Sequence, residues 1–303
     1  MTTLHLLLPG DLDNTTGGTI YDRRIVEGLR TLDWEVHVCS LDNSFPLPTE
    51  NALRDTTRAL TEIADGTRVL IDGLALGAMP DIVAAHSERL RLIALMHHPL
   101  ALETGLDAEV AAALRESETA AFRQVRHVIV TSVATARLLN DYDVPADRID
   151  VIEPGTDPAP LSTGSGAGPT KLLCVGSVTP RKAHLLLIEA LAGLCDLAWV
   201  LTCAGSLARA PQTVSALRRR IDELDLAGRV WLLGDVPQGK MPALYASADL
   251  FVLPSLFEGY GMAYAEALAR GLPVLGTRAG AIPDTVPADA GLLVGPGSIS
   301  ELA

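Results

Sequence analysis

Short apolar runs alternate with amphipathic stretches along the whole 303-residue chain. This alternation predicts parallel β-sheets covered by helices on both faces. In the first half, apolar runs predict strands at Leu4–Leu8, Glu35–Cys39, Arg68–Ile71, Leu92–Met96, His127–Thr131 and Ile149–Ile152. Helical patterns lie between them, including Thr19–Leu32, Arg54–Ala64, Asp107–Gln124 and Ser132–Asp141. We therefore predict a complete doubly wound α/β domain over residues 1–160.

A second alternation follows a segment with the composition of a linker. Residues 158–170, PAPLSTGSGAGPT, are rich in Pro, Gly, Ser and Thr and lack hydrophobic periodicity. Beyond them the pattern predicts strands at Lys171–Val175, Ala198–Ala204, Val230–Leu233 and Leu250–Leu253. It predicts helices at His184–Leu194, Pro211–Leu224, Met241–Ala246 and Met262–Arg270. The second domain should cover residues 170–303, with a cleft between the two domains.

The last residues carry a helix-start signal. Ser298 and Glu301 fit a capping box, yet the sequence ends at Ala303 before any helix is expected. Either the terminus is natural and the helix is absent, or the chain is shortened. We expect the C-terminal domain to lack part of its covering layer.

The charge and composition of the chain limit the classes of partner and the compartment that we expect. The net charge of −13 argues against nucleic acid and against a membrane surface reached through a broad basic field. The start, MTTLHLLLPG, has no charged n-region or cleavage signature, and no apolar run reaches the ~18 residues that span a bilayer. The four cysteines, without metal-site spacing, are typical of small buried thiols in a reducing compartment. We expect a cytoplasmic protein with membrane association disfavoured.

Two glutamates make the segment after Leu250–Leu253 the most informative one. Glu258 and Glu266 flank a Gly-Tyr-Gly turn that leads into the helix predicted at Met262–Arg270. The unpaired N–H groups at a helix start bind phosphate, whereas carboxylates repel phosphate and accept hydrogen bonds from hydroxyls. A ligand that carries both phosphate and many hydroxyls is a nucleotide-sugar. The alternative is an acid that favours the helix dipole together with a solvated glutamate.

A basic pair follows the first strand of the second domain. Arg181 and Lys182 lie in the loop Gly176–Lys182, at the carboxyl edge where open α/β sheets bind ligands. Both could neutralise a diphosphate leaving group. A solvated basic pair at a helix start is the alternative, and the helix dipole disfavours it.

The first domain offers two weaker candidates. Gly17 and Gly18 follow the first strand and permit close backbone approach to a ligand, although a tight turn explains them nearly as well. His97 and His98 end a strand, where an imidazole can donate to a sugar hydroxyl or carry a proton, or be purely structural. No carboxylate–histidine spacing supports a metal there.

Two further motifs are rejected. Asp11-Leu-Asp13 is a short acidic loop of the D-x-D form, which arises easily by chance. Gly164–Gly168 looks like a dinucleotide fingerprint, but it precedes a strand where that motif must follow one. We therefore expect neither a metal nor a nicotinamide cofactor.

The ordered set of motifs resembles the retaining glycosyltransferases of family 4. The resemblance is most specific from Pro254 to Glu266 and continues through Gly271–Pro273 and Ala279–Asp284. It implies the GT-B architecture, in which two Rossmann-like α/β domains face each other across a cleft. It also implies transfer of a hexosyl unit from an NDP-sugar to a hydroxyl acceptor, with retention and without a metal.

The resemblance also implies residue roles. Glu266 matches the residue that accepts from the ribose, Glu258 the one that faces the donor sugar, and Lys182 the one that steadies the leaving diphosphate. His97 matches a histidine near the donor sugar, with His98 the less favoured register on the acceptor side. The other implied donor-binding positions are Gly17, Gly18, Ser177, Arg181, Val236, Gly259, Tyr260, Gly261 and Met262.

Departures from the family pattern leave alternatives open. Ser177 stands where many relatives have a second phosphate-binding arginine, and Ala183 replaces the usual glycine after the lysine, which we expect to be a small change. A nucleotide-sugar-binding protein or partner subunit with little activity of its own is one alternative. A sugar-nucleotide epimerase of the same architecture is the other.

Overall fold

The computed structural model describes residues 2–14 and 16–303, which fall into two compact units that meet between Pro154 and Gly155. Each unit contains a six-stranded parallel sheet. The chain is therefore built from two Rossmann-like α/β domains.

The first unit follows the predicted alternation closely. Its strands are β1 (Thr2–Pro9), β2 (Trp34–Leu41), β3 (Arg68–Asp72), β4 (Arg91–Met96), β5 (His127–Val130) and β6 (Ile149–Val151). Its helices are α1 (Gly17–Thr31), α2 (Glu50–Glu62), α3 (Gly73–Leu76), α4 (Pro80–Ser87), α5 (Ala108–Phe122) and α6 (Val133–Leu138). The short helices α3 and α4 were not predicted, because neither shows a long apolar period.

The sheet of the first unit has the order β2-β1-β3-β4-β5-β6. Apolar residues fill both of its faces: Leu7, Val69 and Ile71 are buried on one face, and Leu6 and Leu70 are buried on the other. The strand order reverses between β1 and β3. In open parallel sheets a crevice for ligands forms at the carboxyl ends of the strands at such a reversal.

The second unit has the Rossmann strand order. Its strands are β7 (Thr170–Val175), β8 (Trp199–Ala204), β9 (Val230–Gly234), β10 (Leu250–Val252), β11 (Val274–Thr277) and β12 (Gly291–Val294). They are arranged as β12-β11-β10-β7-β8-β9, with the reversal between β7 and β10. Its helices are α7 (His184–Ala192), α8 (Pro211–Glu223), α9 (Met241–Ser247), α10 (Met262–Leu268), α11 (Ile282–Thr285) and α12 (Ile299–Leu302).

The segment predicted as a linker belongs to the second unit. It has almost no regular secondary structure, but Ser162 donates through its hydroxyl to the carbonyls of Ala246 and Ala248, at 2.9 and 2.8 Å. The backbone N–H of Ser165 donates to Asp249 Oδ1 at 2.8 Å. These hydrogen bonds fix the segment to the end of α9 and to the start of β10.

The final residues do form a helical turn, so the expectation of no helix before Ala303 is wrong. Ser298 caps α12 by accepting from the N–H of Glu301 at 3.2 Å. The Glu301 carboxylate accepts from the N–H of Gly295 at 2.8 Å and from Arg278 at 3.1 Å. Glu301 thus bonds to the chain before the cap instead of closing a capping box.

The cysteines differ from one another in environment. Cys174 and Cys203 are buried, as predicted for all four, whereas Cys39 is half-buried and Cys195 is exposed. Within residues 2–14 and 16–303 we find no helix with the length and apolar character needed to cross a membrane.

Candidate functional site

The strand-order reversal of the second unit brings two loops together. The first follows β7 and carries Arg181 and Lys182; the second follows β10 and carries Glu258. The N–H of Leu256 donates to the Arg181 carbonyl, and Arg181 Nη1 donates to the Phe257 carbonyl, both at 2.8 Å. These two bonds fix the relative position of the two loops.

Glu258 lies at the centre of this junction and is 6% exposed. Its Oε1 accepts from Lys182 Nζ and from Ser255 Oγ, each at 2.5 Å. Its Oε2 accepts from Arg181 Nη1 at 3.3 Å. We call Arg181, Lys182, Ser255 and Glu258 the Glu258 cluster.

The two cations keep Glu258 ionised. Burial alone would raise the pKa of its carboxyl, but the charges of Lys182 and Arg181 outweigh burial and hold that pKa below its ordinary value. Arg181 and Lys182 are 19% and 15% exposed, so they bridge this buried carboxylate and the solvent. The cluster carries one more positive than negative charge.

The backbone under Glu258 is held by close packing against the loop after β11. Gly280 has φ +55°, and a Cβ at that position would lie 2.3 Å from the Glu258 carbonyl oxygen. The N–H of Ala281 donates to that carbonyl at 2.9 Å, and Thr277 Oγ1 donates to the Ser255 carbonyl at 2.5 Å. Only glycine fits at residue 280 without displacing the loop.

The Gly-Tyr-Gly turn comes directly after Glu258. Gly261 has φ +97° and precedes α10, whose first residue is Met262. Thr285 Oγ1 donates to the Tyr260 carbonyl at 2.5 Å, which ties the turn to α11. The backbone from Gly259 to Met262 thus follows the ionised Glu258 in one tightly held loop.

Glu266 lies apart from this cluster, on α10. Its Oε2 accepts from the Tyr245 hydroxyl at 2.8 Å, and the guanidinium of Arg270 lies 4.4 Å from the Tyr245 ring centroid. Within residues 2–14 and 16–303 its Oε1 accepts no hydrogen bond. Glu266 therefore keeps one carboxylate oxygen for a further donor.

Two predicted donor-binding residues lie on the other side of β7, toward β8 and β9. Ser177 is half-buried beside Gly205, where a Cβ would lie 2.2 Å from the Gly176 carbonyl oxygen. Val236 follows β9 and lines an open depression of about 490 Å³ together with Leu233, Asp235, Pro237 and Lys240. Neither Ser177 nor Val236 contacts Glu258 through a hydrogen bond.

Ala183 has a larger effect on the backbone than the sequence suggested. It has φ 54° and ψ 36°, in the left-handed region, and is the residue from which α7 starts. A non-glycine residue in that region costs roughly 1–2 kcal/mol. Alanine at residue 183 therefore strains the backbone next to Lys182, so the expectation that this replacement is a small change is wrong.

In the first unit, His97 lies between two carboxylates. Its Nε2 is 3.2 Å from Asp22 Oδ1 and 3.4 Å from Asp72 Oδ2, and the two aspartates are 1% and 5% exposed. The Tyr21 ring meets the imidazole edge-on, with centroids 5.6 Å apart. We call Asp22, Asp72 and His97 the His97 cluster.

The imidazole of the His97 cluster is a cation. Burial would lower its pKa, but the hydrogen bonds and charges of Asp22 and Asp72 raise it to about 10. Burial raises the pKa of Asp22, and the hydrogen bond from His97 opposes that effect. The cluster therefore carries one more negative than positive charge.

Gly17 and Gly18 open α1, and Gly18 lies immediately beside this imidazole. A Cβ on Gly18 would lie 3.2 Å from His97 Cδ2, so a side chain at this position would press against the ring. Gly18 thus meets a definite steric need, beyond that of a simple turn. His98 points elsewhere and pairs with Glu103 through Nε2 and Oε2 at 3.2 Å.

The His97 cluster has the ligand types of a metal site, since its ligand atoms lie within 4.8 Å of one another. The protonated imidazole offsets the charge of one of the two carboxylates, and a metal bound through Nε2 would have to displace its proton. In this structure His97 forms ion pairs with both aspartates.

Sequence reasoning missed three residues of the two clusters and one buried glutamate close in sequence to His98. Asp22 and Asp72 hold His97, Ser255 donates to Glu258, and Glu118 accepts from the N–H groups of Leu100 and Ala101 just beyond His98. Asp72 had a usable signal, because it ends an apolar strand at the carboxyl edge of the sheet. The other three lie in helices or loops where polar residues are common.

Two protein-family models match adjoining parts of the chain. The model described as Glycosyltransferase Family 4 matches residues 15–160, and the model described as Glycosyl transferases group 1 matches residues 169–303. The chain belongs to the GT-B glycosyltransferases of family 4 type. The resemblance inferred from the motifs is thereby confirmed.

Curated relatives agree with this assignment. The chain is 32% identical to a D-inositol 3-phosphate glycosyltransferase of Corynebacterium glutamicum (strain R) over 52% of its own length and 42% of the relative's. It is 26% identical to an MMP alpha-(1->4)-mannosyltransferase of Mycolicibacterium hassiacum over 90% of its length and 68% of the relative's. The match thus spans about two fifths of the first relative and two thirds of the second.

Solved structures confirm the fold. A sucrose-phosphate synthase from Thermosynechococcus elongatus superposes with a TM-score of 0.84 at 20% identity, over all of this chain and 88% of that one. The Anabaena protein HepE in complex with UDP-glucose superposes with a TM-score of 0.80 at 22% identity and the same coverage. At these identities the likeness concerns the fold alone.

Proposed function

We propose that this chain is a retaining glycosyltransferase that moves a hexosyl unit from a nucleoside diphosphate sugar to a hydroxyl acceptor. The observation that carries the proposal is the Glu258 cluster, which combines two partly exposed cations with a buried carboxylate at the strand-order reversal of a Rossmann-type sheet. Family relatives named as sugar transferases, and a structural neighbour with bound UDP-glucose, support the same reading.

In the proposed complex, Lys182 and Arg181 bind the donor diphosphate through charge-assisted hydrogen bonds. An ionised carboxylate has about four lone-pair sites. Three of those on Glu258 are occupied by Lys182, Ser255 and Arg181. The remaining one, on Oε2, is available to a sugar hydroxyl, while Oε1 of Glu266 is available to the ribose.

The proposed reaction breaks the bond between the anomeric carbon and the diphosphate oxygen. A new bond from the same carbon to the acceptor oxygen forms on the same face, and the acceptor proton passes to the departing diphosphate. Lys182 and Arg181 stabilise the charge that develops on the diphosphate, which is where electrostatic catalysis is most effective. Under this proposal no metal cofactor takes part, and no side chain becomes a covalent nucleophile.

The test is a transfer assay with a panel of NDP-sugars and hydroxyl acceptors, in which the product anomer is identified by NMR. We expect transfer with retention, and a loss of roughly 100-fold or more in turnover for Lys182→Ala. Lys171→Ala is the matched control, because Lys171 is an exposed lysine at the other end of β7. An inverted product, or free epimerised sugar without a glycoside, would refute the proposal.

A further inference from the structure

A second group of polar side chains lies in the core of the second unit, outside the Glu258 cluster. Cys174 on β7 is paired in register with Cys203 on β8, and His184 is the first residue of α7. All three side chains are buried. Their sulfur and nitrogen ligand atoms lie within 4.8 Å of one another.

His184 is the unusual member of this group. It is 2% exposed, yet neither Nδ1 nor Nε2 reaches a hydrogen-bond partner among the residues that the structure describes. Leaving a polar group buried without a partner is costly, and native structures rarely do so without a reason. Both ring nitrogens are therefore open to a ligand, as far as residues 2–14 and 16–303 show.

The two sulfurs next to this ring supply the complementary chemistry. Cys174 is 0% exposed and Cys203 is 3% exposed, and the two residues face each other across adjacent parallel strands. Cysteine sulfur and imidazole nitrogen are both ligands that zinc accepts.

We propose that Cys174, Cys203 and His184 form a binding site for Zn²⁺. Two thiolates and one imidazole are a ligand set that zinc accepts, with a fourth position left to another ligand. In a tetrahedral site with Zn–S of about 2.3 Å and Zn–N of about 2.0 Å, ligand atoms lie roughly 3.7 Å apart. The present separations therefore need to close by about 1 Å at most.

The position of this site gives it a structural consequence. Cys174 precedes the loop that carries Arg181 and Lys182, and His184 follows it directly. An ion bound to both residues would tie the two ends of that loop together and anchor them to β8. This zinc site is separate from the reaction proposed above and does not depend on it.

The test uses the reduced full chain, stripped with a chelator and titrated with Zn²⁺ against a chromophoric competitor. We expect about one ion per chain, and Co²⁺ in its place should show thiolate-to-metal charge transfer and visible bands of tetrahedral coordination. Cys174→Ser, Cys203→Ser and His184→Ala should each weaken binding by roughly 100-fold or more, since ligands count for at least as much as their supporting residues. Cys195→Ser, which changes an exposed cysteine, should bind as the unmodified chain does.

A second measurement needs no variant and so covers the case of variants that do not fold. Zn²⁺ should slow the alkylation of Cys174 and Cys203 in mild denaturant, as read by mass spectrometry, while the exposed Cys195 reacts at the same rate with or without the ion. Equal alkylation rates with and without Zn²⁺, together with no Co²⁺ spectrum, would overturn the site. So would a Cys174–Cys203 disulfide formed in air by a chain that binds no Zn²⁺.

Discussion

Each of the two units contains a cluster of charged side chains, and the signs of the buried and flanking charges are opposite in the two clusters. In the first unit one cation, His97, lies between two aspartates that are almost fully buried. In the second unit one buried carboxylate, Glu258, lies between two cations that are partly exposed. Each cluster sits beside a strand-order reversal, but the charge that reaches solvent is different.

The difference separates a fixed cluster from an adaptable one. Asp22 and Asp72 have short side chains inside the protein and cannot reach water if their cation is removed. Arg181 and Lys182 have long, flexible side chains whose charged ends can move outward. The cations of the Glu258 cluster can therefore turn toward other partners, whereas the carboxylates of the His97 cluster cannot.

The largest effect is expected for His97→Ala. It leaves two buried carboxylates without their cation and should lower the free energy of unfolding by about 3–5 kcal/mol. Chemical denaturation measures this change. His127→Ala is the matched control, because His127 pairs with Asp150 at 3.3 Å in an exposed position, and it should cost less than about 0.5 kcal/mol.

The double variant His97→Ala with Asp22→Asn distinguishes charge from packing and also covers the case in which the single variant does not fold. Removing one of the two uncompensated charges should recover part of the lost stability. If the double variant is no more stable than His97→Ala, the aspartates are not held by charge, and the comparison fails.

The stability of the first unit should depend on pH through the titration of His97. The pKa of His97 is raised to about 10 in the folded state, against about 6.5 in the unfolded chain. The folded state therefore holds one more proton between these values, so stability is fully present below about pH 6.5 and falls as the pH rises toward 10. We expect a loss of about 4 kcal/mol over this range, at about 1.4 kcal/mol for each pH unit between the two values.

The reference for that experiment is His97→Gln, measured at the same pH values, so that other titrating groups cancel. The difference between the two chains should shrink steadily as the pH rises. A difference that stays constant from pH 7 to 9.5 would show that His97 is not an ion-paired cation.

Glu258→Gln should cost less stability than His97→Ala, about 1–2 kcal/mol, because the two cations it releases can turn toward solvent. The glutamine keeps a hydrogen-bond acceptor for Ser255. The matched control is Glu189→Gln, which weakens a more exposed ion pair with Arg220, a residue that also pairs with Glu223. A loss for Glu258→Gln equal to that for His97→Ala would remove the distinction between the clusters.

Ala183→Gly should give the smallest change, and in the stabilising direction. Glycine adopts the left-handed backbone conformation beside Lys182 without strain. Glycine also raises the conformational entropy of the unfolded chain, which offsets part of this gain. The net increase in the free energy of unfolding should be roughly 0.5–1 kcal/mol. Thermal unfolding measures the shift, with Ala192→Gly in the last turn of α7 as a control that should destabilise. Destabilisation by Ala183→Gly would show that residue 183 is not strained.

The sequence predicts the strands, the long helices and the loops with the chemistry, because apolar period and turn residues are local signals. It places Lys182 and Glu258 in separate loops at carboxyl strand ends, but it does not reveal that their side chains meet at 2.5 Å. That contact follows from the pairing of β7 with β10, which is not a local property of the chain.

The same limit explains the missed residues. Asp22 lies one turn after Gly18 on α1, and Asp72 ends β3, and only the sheet order brings both to His97. Cys174 and Cys203 look scattered along the chain, but they are opposite each other in adjacent strands. Contacts between segments that are distant in sequence determine which side chains form ion pairs or a metal site. Local patterns determine the helices and strands that carry those side chains.

Calorimetric titration of nucleoside diphosphates into the unmodified chain and into Lys182→Ala tests the central claim most directly. We expect at least one of UDP, GDP and ADP to bind the unmodified chain. The same nucleotide should bind Lys182→Ala roughly 10- to 100-fold more weakly, because this variant lacks one charge-assisted hydrogen bond. Lys171→Ala should keep the affinity of the unmodified chain. Equal affinity of all three chains for the preferred nucleotide would contradict the assignment of the Glu258 cluster as the donor site.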